Sequence, residues 1–445
     1  MRFILLAALF VGLAVPAAAQ LDDRLNLGGA AESYTALRLG AEPDFLAART
    51  RADLRLAFDY ERGRIVIRPR LDYDALGERL RGGLREAYLD VFFDRVDLRL
   101  GHQQIVWGET DGTFVTDLLS PLDLTEFLAQ PFGDLRLGVT AAAATLYAGD
   151  WRATAVLIPR RPTSRLPAPG SPWYPLPADV LGVPVELVEP APEDSTLRAA
   201  EAAVRLTYAG LPRTDVSVLW ISGFNRIPAF RKGLRLAVQP TLDAALTVTP
   251  AYERRHVFGL TFETLALDPV VLRGEAALHT AYLLDQPIEI PQTLGGLLDP
   301  DFQDAVARGF LIERPFLQAA LGVERAFGSH LVRVQALGGL VIDHDDRVAQ
   351  DRFEPSFTAL WTGRFRRETL TAQVFAFYTP GADLWLHPAL TYAVRDALNA
   401  TLGLQVFGGA GGADPSLPGL LREPAPSFAT YDRNDFAYLR VSYSF

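Results

Sequence analysis

Apolar and polar residues alternate with a period of two in blocks of about ten, separated by turn residues, which marks strands with one apolar and one polar face. In residues 51–60, Arg51, Asp53, Arg55, Ala57 and Asp59 share one face, and Ala52, Leu54, Leu56, Phe58 and Tyr60 the other. After a tight Glu61-Arg62-Gly63 turn, Arg64, Val66, Arg68, Arg70 and Asp72 oppose Ile65, Ile67, Pro69, Leu71 and Tyr73. Residues 95–103 set Arg95, Asp97, Arg99, Gly101 and Gln103 against Val96, Leu98, Leu100 and His102. Later blocks have a cleaner apolar face: Ala202, Val204, Leu206 and Tyr208, then Leu317, Ala319, Leu321 and Val323. Short turns fall near 60–63, 94–95, 149–150, 209–213, 268–270, 328–329, 365–367 and 396–398, and long connections near 107–134, 160–195, 284–314, 343–353 and 409–434. This alternation predicts an all-β, antiparallel transmembrane β-barrel with short periplasmic turns, long extracellular loops and both termini periplasmic. About 18 strands are expected (range 16–20): 18 if residues 224–253 form one long excursion, 20 if they add a hairpin. A β-sandwich or a β-helix also alternates. A β-helix would show a short internal repeat, which is absent, and a sandwich has no need of an aromatic chain end.

Both ends of the chain agree with a barrel. Arg2, the apolar run Phe3 to Val15 and the A-x-A site Ala17-Ala18-Ala19 read as a signal peptide over residues 1–19, leaving 20–445 as the mature chain. That run is shorter than the roughly 20 residues a spanning helix needs. No long charge-free run follows Gln20, so membrane insertion would require closed strands. The absence of Cys excludes a lipid anchor at the cleavage site, a disulfide framework and thiol redox chemistry. The final alternating strand, with Tyr443 and terminal Phe445, resembles the sorting signal read by the barrel-assembly machinery. The expected location is the outer membrane of a Gram-negative-type bacterium, with outer-membrane lipid and that machinery as partners.

Hydrophobic residues make up 49% and charged residues 22%, as expected where lipid-facing and lumen-facing positions alternate. The net charge of -10 argues against a nucleic-acid partner. Residues 161–195 carry nine prolines and read as an extended surface loop. Asp299-Pro300 followed by 301–308 reads as a capped short helix, and Ser120-Pro121 to Gln130 gives a similar signal.

The densest signature is Gly101-His102-Gln103-Gln104-Ile105-Val106-Trp107-Gly108-Glu109-Thr110-Asp111-Gly112, followed by Asp117-Leu118-Leu119-Ser120-Pro121-Leu122-Asp123-Leu124 and Asp134-Leu135-Arg136. With G-x-Q-x-x-x-W-G at a strand end and D-x-x-x-P-x-D-L in the next loop, this block resembles a family of porin-like outer-membrane barrels akin to alginate-export and phosphate-selective barrels. The resemblance implies a channel or an export or uptake barrel, without naming a ligand. Physically, Gly101 and Gly108 suit a bend or a close backbone approach. Trp107 suits an aromatic girdle or a lumen wall. Gln103 is in phase with the inward face, and Asp111, Asp117 and Asp123 can cap amides or pair with arginines. Two readings stay open: an inward loop stapled by Asp–Arg pairs, or one whose residues also form the selective constriction together with Pro121.

The inward arginines Arg51, Arg55, Arg64, Arg68, Arg70, Arg95 and Arg99 would favour anions if unpaired. Interleaved Asp53, Asp59, Asp72 and Asp97 instead suggest cross-strand ladders worth about 0.2–1 kcal/mol per pair. The six histidines (His102, His256, His279, His330, His344, His387) have no ligand spacing and no nucleophile elbow is present, so neither enzyme, metal site nor cofactor is expected. Asp343-His344-Asp345-Asp346 reads as a solvated acidic turn rather than a Ca²⁺ loop. The expected function is passive passage of small polar or anionic solutes through a loop-constricted lumen. The alternatives are a lipid or polysaccharide transport barrel with a periplasmic partner, a plugged surface-binding barrel with the Pro-rich loop 161–195 as the contact, and an outer-membrane enzyme with a Ser/His or Asp/His cluster at one rim. Solute identity, pore radius and oligomeric state are not written in the sequence.

Overall fold

Alternating side chains make each strand two-sided, and a sheet of such strands can satisfy every backbone group in lipid only by closing on itself. The computed structural model shows that closure. It describes residues 24–40, 43–110, 112–126, 130–174, 179–180, 183–188, 197–237, 243–288, 293–381, 383–409 and 428–445. The expected signal segment 1–19 and Asp111 lie outside these residues, as do parts of the loops expected at 160–195, 284–314 and 409–434.

In chain order the strands are β1 (Leu25–Arg38), β2 (Phe45–Tyr60), β3 (Gly63–Asp74), β4 (Arg79–Phe92), β5 (Val96–Gln103), β6 (Val139–Ala148), β7 (Trp151–Ile158), β8 (Asp179–Val180), β9 (Val183–Leu187), β10 (Glu201–Leu211) and β11 (Thr214–Phe224). They continue as β12 (Ala229–Ala237), β13 (Asp243–Ala251), β14 (Arg254–Leu267), β15 (Val270–Asp285), β16 (Leu311–Phe327), β17 (His330–Val341), β18 (Phe353–Phe365), β19 (Leu370–Thr379), β20 (Asp383–Arg395), β21 (Leu398–Gly408) and β22 (Phe436–Ser444). Eighteen of them form one antiparallel sheet, in which each strand pairs with its neighbour and β22 pairs with β1. The excursion between β11 and β14 does hold a hairpin, β12–β13, but it leaves the ring. Phe224 of β11 pairs directly with Arg254 of β14, and β13 pairs in parallel with β9 in a separate four-stranded sheet. The barrel therefore has 18 strands.

The closing seam is continuous from Ala30↔Ser444 to Arg38↔Phe436. Gly29 and Phe445 extend it by exchanging two backbone hydrogen bonds of 2.9 and 3.0 Å. A Cβ on Gly29 would stand 2.7 Å from the Phe445 ring, so the missing side chain makes room for the aromatic chain end.

The eight tight turns gather at one rim, together with Leu25 and Phe445; the long connections gather at the other. The outward face is a belt of exposed apolar side chains such as Ile65, Leu100, Leu157, Val204, Phe258, Leu321, Val334 and Leu402. Aromatic pairs stand near the short-turn rim (Trp151–Tyr208, Trp361–Phe365) and Trp220 stacks with His256 nearer the other. From Phe353 to Trp361 on β18, at about 3.3 Å per residue and a tilt of about 40°, the belt is roughly 20 Å tall.

The short helix α2 (Pro300–Ala307), preceded by α1 (Leu294–Leu297), forms in the connection after β15; Asp299 caps α2 by accepting from the Asp301 amide, with Pro300 in its first turn. The helix expected from Ser120 does not form over the described residues 120–126. There the backbone donors are spent elsewhere: the Asp123 amide donates to Leu135 O, the Leu124 amide to Arg165 O, and Leu122 bridges Arg136 as in a sheet. In the acidic turn Asp343–Asp346, Asp345 receives both Arg314 and Arg347.

Candidate functional site

The connection between β5 and β6, residues 104–138, turns inward and crosses the lumen. β5 ends early, at Gln103, because Gly101 adopts φ +131° and sits where a Cβ would meet Ala87 O at 2.4 Å. Only glycine allows that approach, and it releases the chain from the wall. Gln103 points inward, buried, and donates from Nε2 to Ala141 O on the next strand.

Beyond Gln103 the loop is held on two sides by different forces. On one side its apolar residues Ile105, Trp107, Val115 and Leu119 pack against an apolar inner wall that includes Val139, Val156, Leu219, Ile221 and Val257. Trp107 belongs to this core. It lies neither in an aromatic girdle nor on a strand, since the strand has already ended and burial in the lumen covers the indole. At the centre of the same side stands Glu275 of β15, only 4% exposed. Its carboxylate accepts from the amides of Glu109 (2.6 Å), Thr110 and Thr116 (3.0 Å), and from the hydroxyls of Thr110 (2.8 Å) and Thr116 (2.6 Å). A Cβ on Gly108 would approach Asp117 Cβ at 3.0 Å and Glu275 Oε1 at 3.5 Å, so glycine keeps the loop tight against this carboxylate. Arg205 of β10 adds bonds to Trp107 O (3.1 Å) and Glu109 Oε1 (2.5 Å). At the tip, Gly112 meets Phe375 of β19. Since β15 and β19 stand six and ten strands beyond β5 in a ring of 18, the loop reaches across the bore.

On the other side the returning limb lies along the arginine-rich wall. Asp134 receives Arg51 and Arg70, each at 3.1 Å, and Arg85; Glu126 receives Arg49. Within the loop, Arg136 donates to Asp117 (2.5 Å) and lies over the stacked rings of Phe114 and Phe132. Asp123 caps the Thr125 amide and pairs with Arg165, while Pro121 O accepts from the Leu137 amide.

The wall itself is a ladder. Arg51 pairs with Asp72, Arg64 with Asp59, Arg68 with Glu86, Arg70 with Asp53 and Arg99 with Asp90. Arg55 and Arg95 are exposed, and neither forms a salt bridge with a described residue. A chamber of about 530 Å³ remains beneath the loop toward the short-turn rim, lined in part by Asp97, Arg99, Trp107, Tyr147, Arg152 and Arg205. Tyr443 and Phe445 stack on the outer surface, away from the site.

Glu275, Arg205, Arg85 and Arg49 escaped the sequence reading. The available signal for Glu275 was a lone carboxylate on the inward face of β15, between Arg273 and Ala277. Its partners lie some 160 residues away, at separations of 159 to 166.

Two loop carboxylates titrate in opposite directions. Burial pushes the Asp117 carboxyl up, against the pull of Arg136. For Asp134, burial is outweighed by Arg70, Arg85 and Arg51, which hold its carboxyl well below the usual range. Ionised Asp117 is therefore the costly form: its contribution to stability is greatest at low pH and diminishes as pH rises through its raised value. Asp134 contributes fully above its ordinary pKa of about 3.9 and loses that contribution only as pH falls through its lowered one. Asp117→Asn should leave hydrogen exchange of the 105–120 amides at pH 7 unchanged or slower. Exchange as fast as in Asp134→Asn would contradict this assignment.

Three solved structures share this architecture. Acinetobacter baumannii OccAB1 matches at 10% identity and TM-score 0.51, over 95% of this chain and 96% of that one. OccAB4 of the same species matches at 9% identity and TM-score 0.52, over 96% and 99%. Pseudomonas aeruginosa OccK1 (OpdK) matches at 10% and 0.51, over 95% and 98%. At such identities the likeness establishes the fold, a porin-like β-barrel; it does not extend to the alginate-export or phosphate-selective kinship that the motif suggested. No curated protein matches the sequence. A family model does match, over residues 49–326, from β2 through the inward loop to β16. The chain thus belongs to the family described as Protein of unknown function (DUF1302).

Proposed function

We propose that this protein is an outer-membrane channel that lets small polar solutes, anions among them, diffuse through a lumen narrowed by residues 104–138. The observation that carries this reading is the loop clamped across a closed barrel by Glu275 on one side and by Asp134 on the other. A loop tied at both ends reduces the bore without requiring a conformational cycle, which suits passive passage. The apolar belt and aromatic rims support a lipid setting. The terminal strand with Phe445 supports insertion by the barrel-assembly machinery, and the short-turn rim, with both termini, is assigned to the periplasm.

Lipid or polysaccharide transport would need a bare apolar stripe in the lumen or a gap in the wall. The apolar inner wall is covered by Ile105, Trp107, Val115 and Leu119, and the β1–β22 seam is paired throughout, so neither feature supports that alternative. The test is swelling of liposomes that contain the refolded protein, using neutral sugars of increasing size. Rates that fall with solute size are expected. No swelling with any solute would overturn the channel reading in favour of a plugged barrel.

A further inference from the structure

The arginines along β2–β5 are largely neutralised by carboxylates, but one buried arginine on the far wall is not. Arg255 of β14 is 8% exposed and, by alternation with Val257, faces the lumen. One face of its guanidinium is covered by the Tyr282 ring, 5.0 Å from Cζ to centroid. It makes no hydrogen bond or ion pair with any described residue. The carboxylate that acts on it electrostatically, Glu201, is already committed: it holds Arg226 through bonds of 2.8 and 2.5 Å and also accepts the Phe224 amide at 3.3 Å. Arg226 spends its remaining edge on Leu119 O of the inward loop. Among the described residues this leaves the Arg255 guanidinium without a counter-charge, in a place largely closed to water. Nearby, fully buried His279, whose Nε2 lies 3.2 Å from Gln318 Oε1, has no partner for Nδ1.

A buried charge without a counter-charge is costly and is retained where something compensates it. A cation–π contact offsets only part of this and leaves the in-plane N–H donors unmet. We infer that Arg255 anchors a binding site for one monovalent anion in the lumen, on the long-loop side of the inward loop. Guanidinium supplies the charge and in-plane donors and Tyr282 a wall, while Glu201 is taken by Arg226. The inference deepens the channel reading by placing an anion subsite in the pore, yet the site can be observed without any transport.

The test is a crystal structure of the full barrel grown in sodium bromide, with data collected for bromide anomalous scattering. A bromide peak in contact with the Arg255 guanidinium is expected in the unaltered protein. It should vanish in Arg255→Gln and persist in Arg255→Lys. An empty site in the unaltered protein, or bromide retained in Arg255→Gln, would overturn the inference. Should Arg255→Gln fail to fold, the unaltered protein alone decides. A bilayer-silent barrel with bromide at Arg255 would remove the channel reading and leave the anion site standing; a conducting barrel with an empty site would do the reverse.

Discussion

Glu275→Ala should produce a barrel that folds but flickers between the wild-type conductance and a larger one. The Glu275 carboxylate accepts five hydrogen bonds from the loop, three from backbone amides. Bonds to a charged group are worth about 1.5–3 kcal/mol each, and a buried amide left unpaired costs about 1–3 kcal/mol. They are not additive, but a loss of about 3–5 kcal/mol of loop docking is a conservative expectation, shifting the loop's release equilibrium roughly 10²–10⁴-fold. The apolar contacts of Ile105, Trp107, Val115 and Leu119 remain, so release is transient rather than complete. Glu275→Gln, which keeps one acceptor oxygen, should fall between. Single-channel recording checks this: steady current at the wild-type level in Glu275→Ala would mean that the loop is held by its apolar face alone.

Asp134→Asn should shift the pore's selectivity toward anions. In the native wall, Arg51, Arg70 and Arg85 face Asp72, Asp53 and Asp134, so the local charge sums to zero. Neutralising Asp134 leaves it at plus one, and Arg85 keeps only the Gly133 carbonyl. One unit charge about 6 Å from a passing ion is worth roughly 0.7–1.4 kcal/mol at an effective dielectric of about 80–40, favouring the anion and disfavouring the cation by that amount, so the anion-to-cation permeability ratio should rise about ten- to hundredfold. The change should shrink in concentrated salt, where screening falls to about 3 Å. Reversal potentials in a potassium chloride gradient measure it directly. An unchanged ratio at low salt would place the ion path away from the β2–β4 wall.

The barrel was legible because lipid outside and water inside impose a period of two on every strand, from Arg51–Tyr60 to Leu439–Phe445. Local ladder rungs were legible for the same reason. Asp59 and Arg64 flank one tight turn, so their pairing follows from hairpin register. What was not legible depends on closure. Asp134 meets Arg51, Arg70 and Arg85, and Glu275 meets Thr110 and Thr116, only because a loop that leaves β5 lands on strands elsewhere in the ring. Trp107 suits an aromatic girdle or a lumen wall from its neighbours in sequence, and packs against the inner wall because Gly101 ends the strand before it. The hairpin β12–β13 alternates as a wall strand does; its partner, β9, lies over 40 residues upstream and decides which sheet it joins. The pairing of inward arginines was visible as a possibility, whereas the lack of a partner at Arg255 required the positions of Glu201 and Arg226.

The central claim is that this closed barrel conducts through a lumen that residues 104–138 narrow. The most direct measurement is unitary conductance of the refolded wild-type protein in a planar bilayer, with its reversal potential in a salt gradient. Discrete, steady steps with a modest anion preference are predicted, as required by a charge-paired wall that leaves Arg55, Arg95 and Arg255 without a partner among the described residues. A correctly folded barrel that inserts and passes no current would contradict the account, and would make the inward loop a plug rather than a constriction.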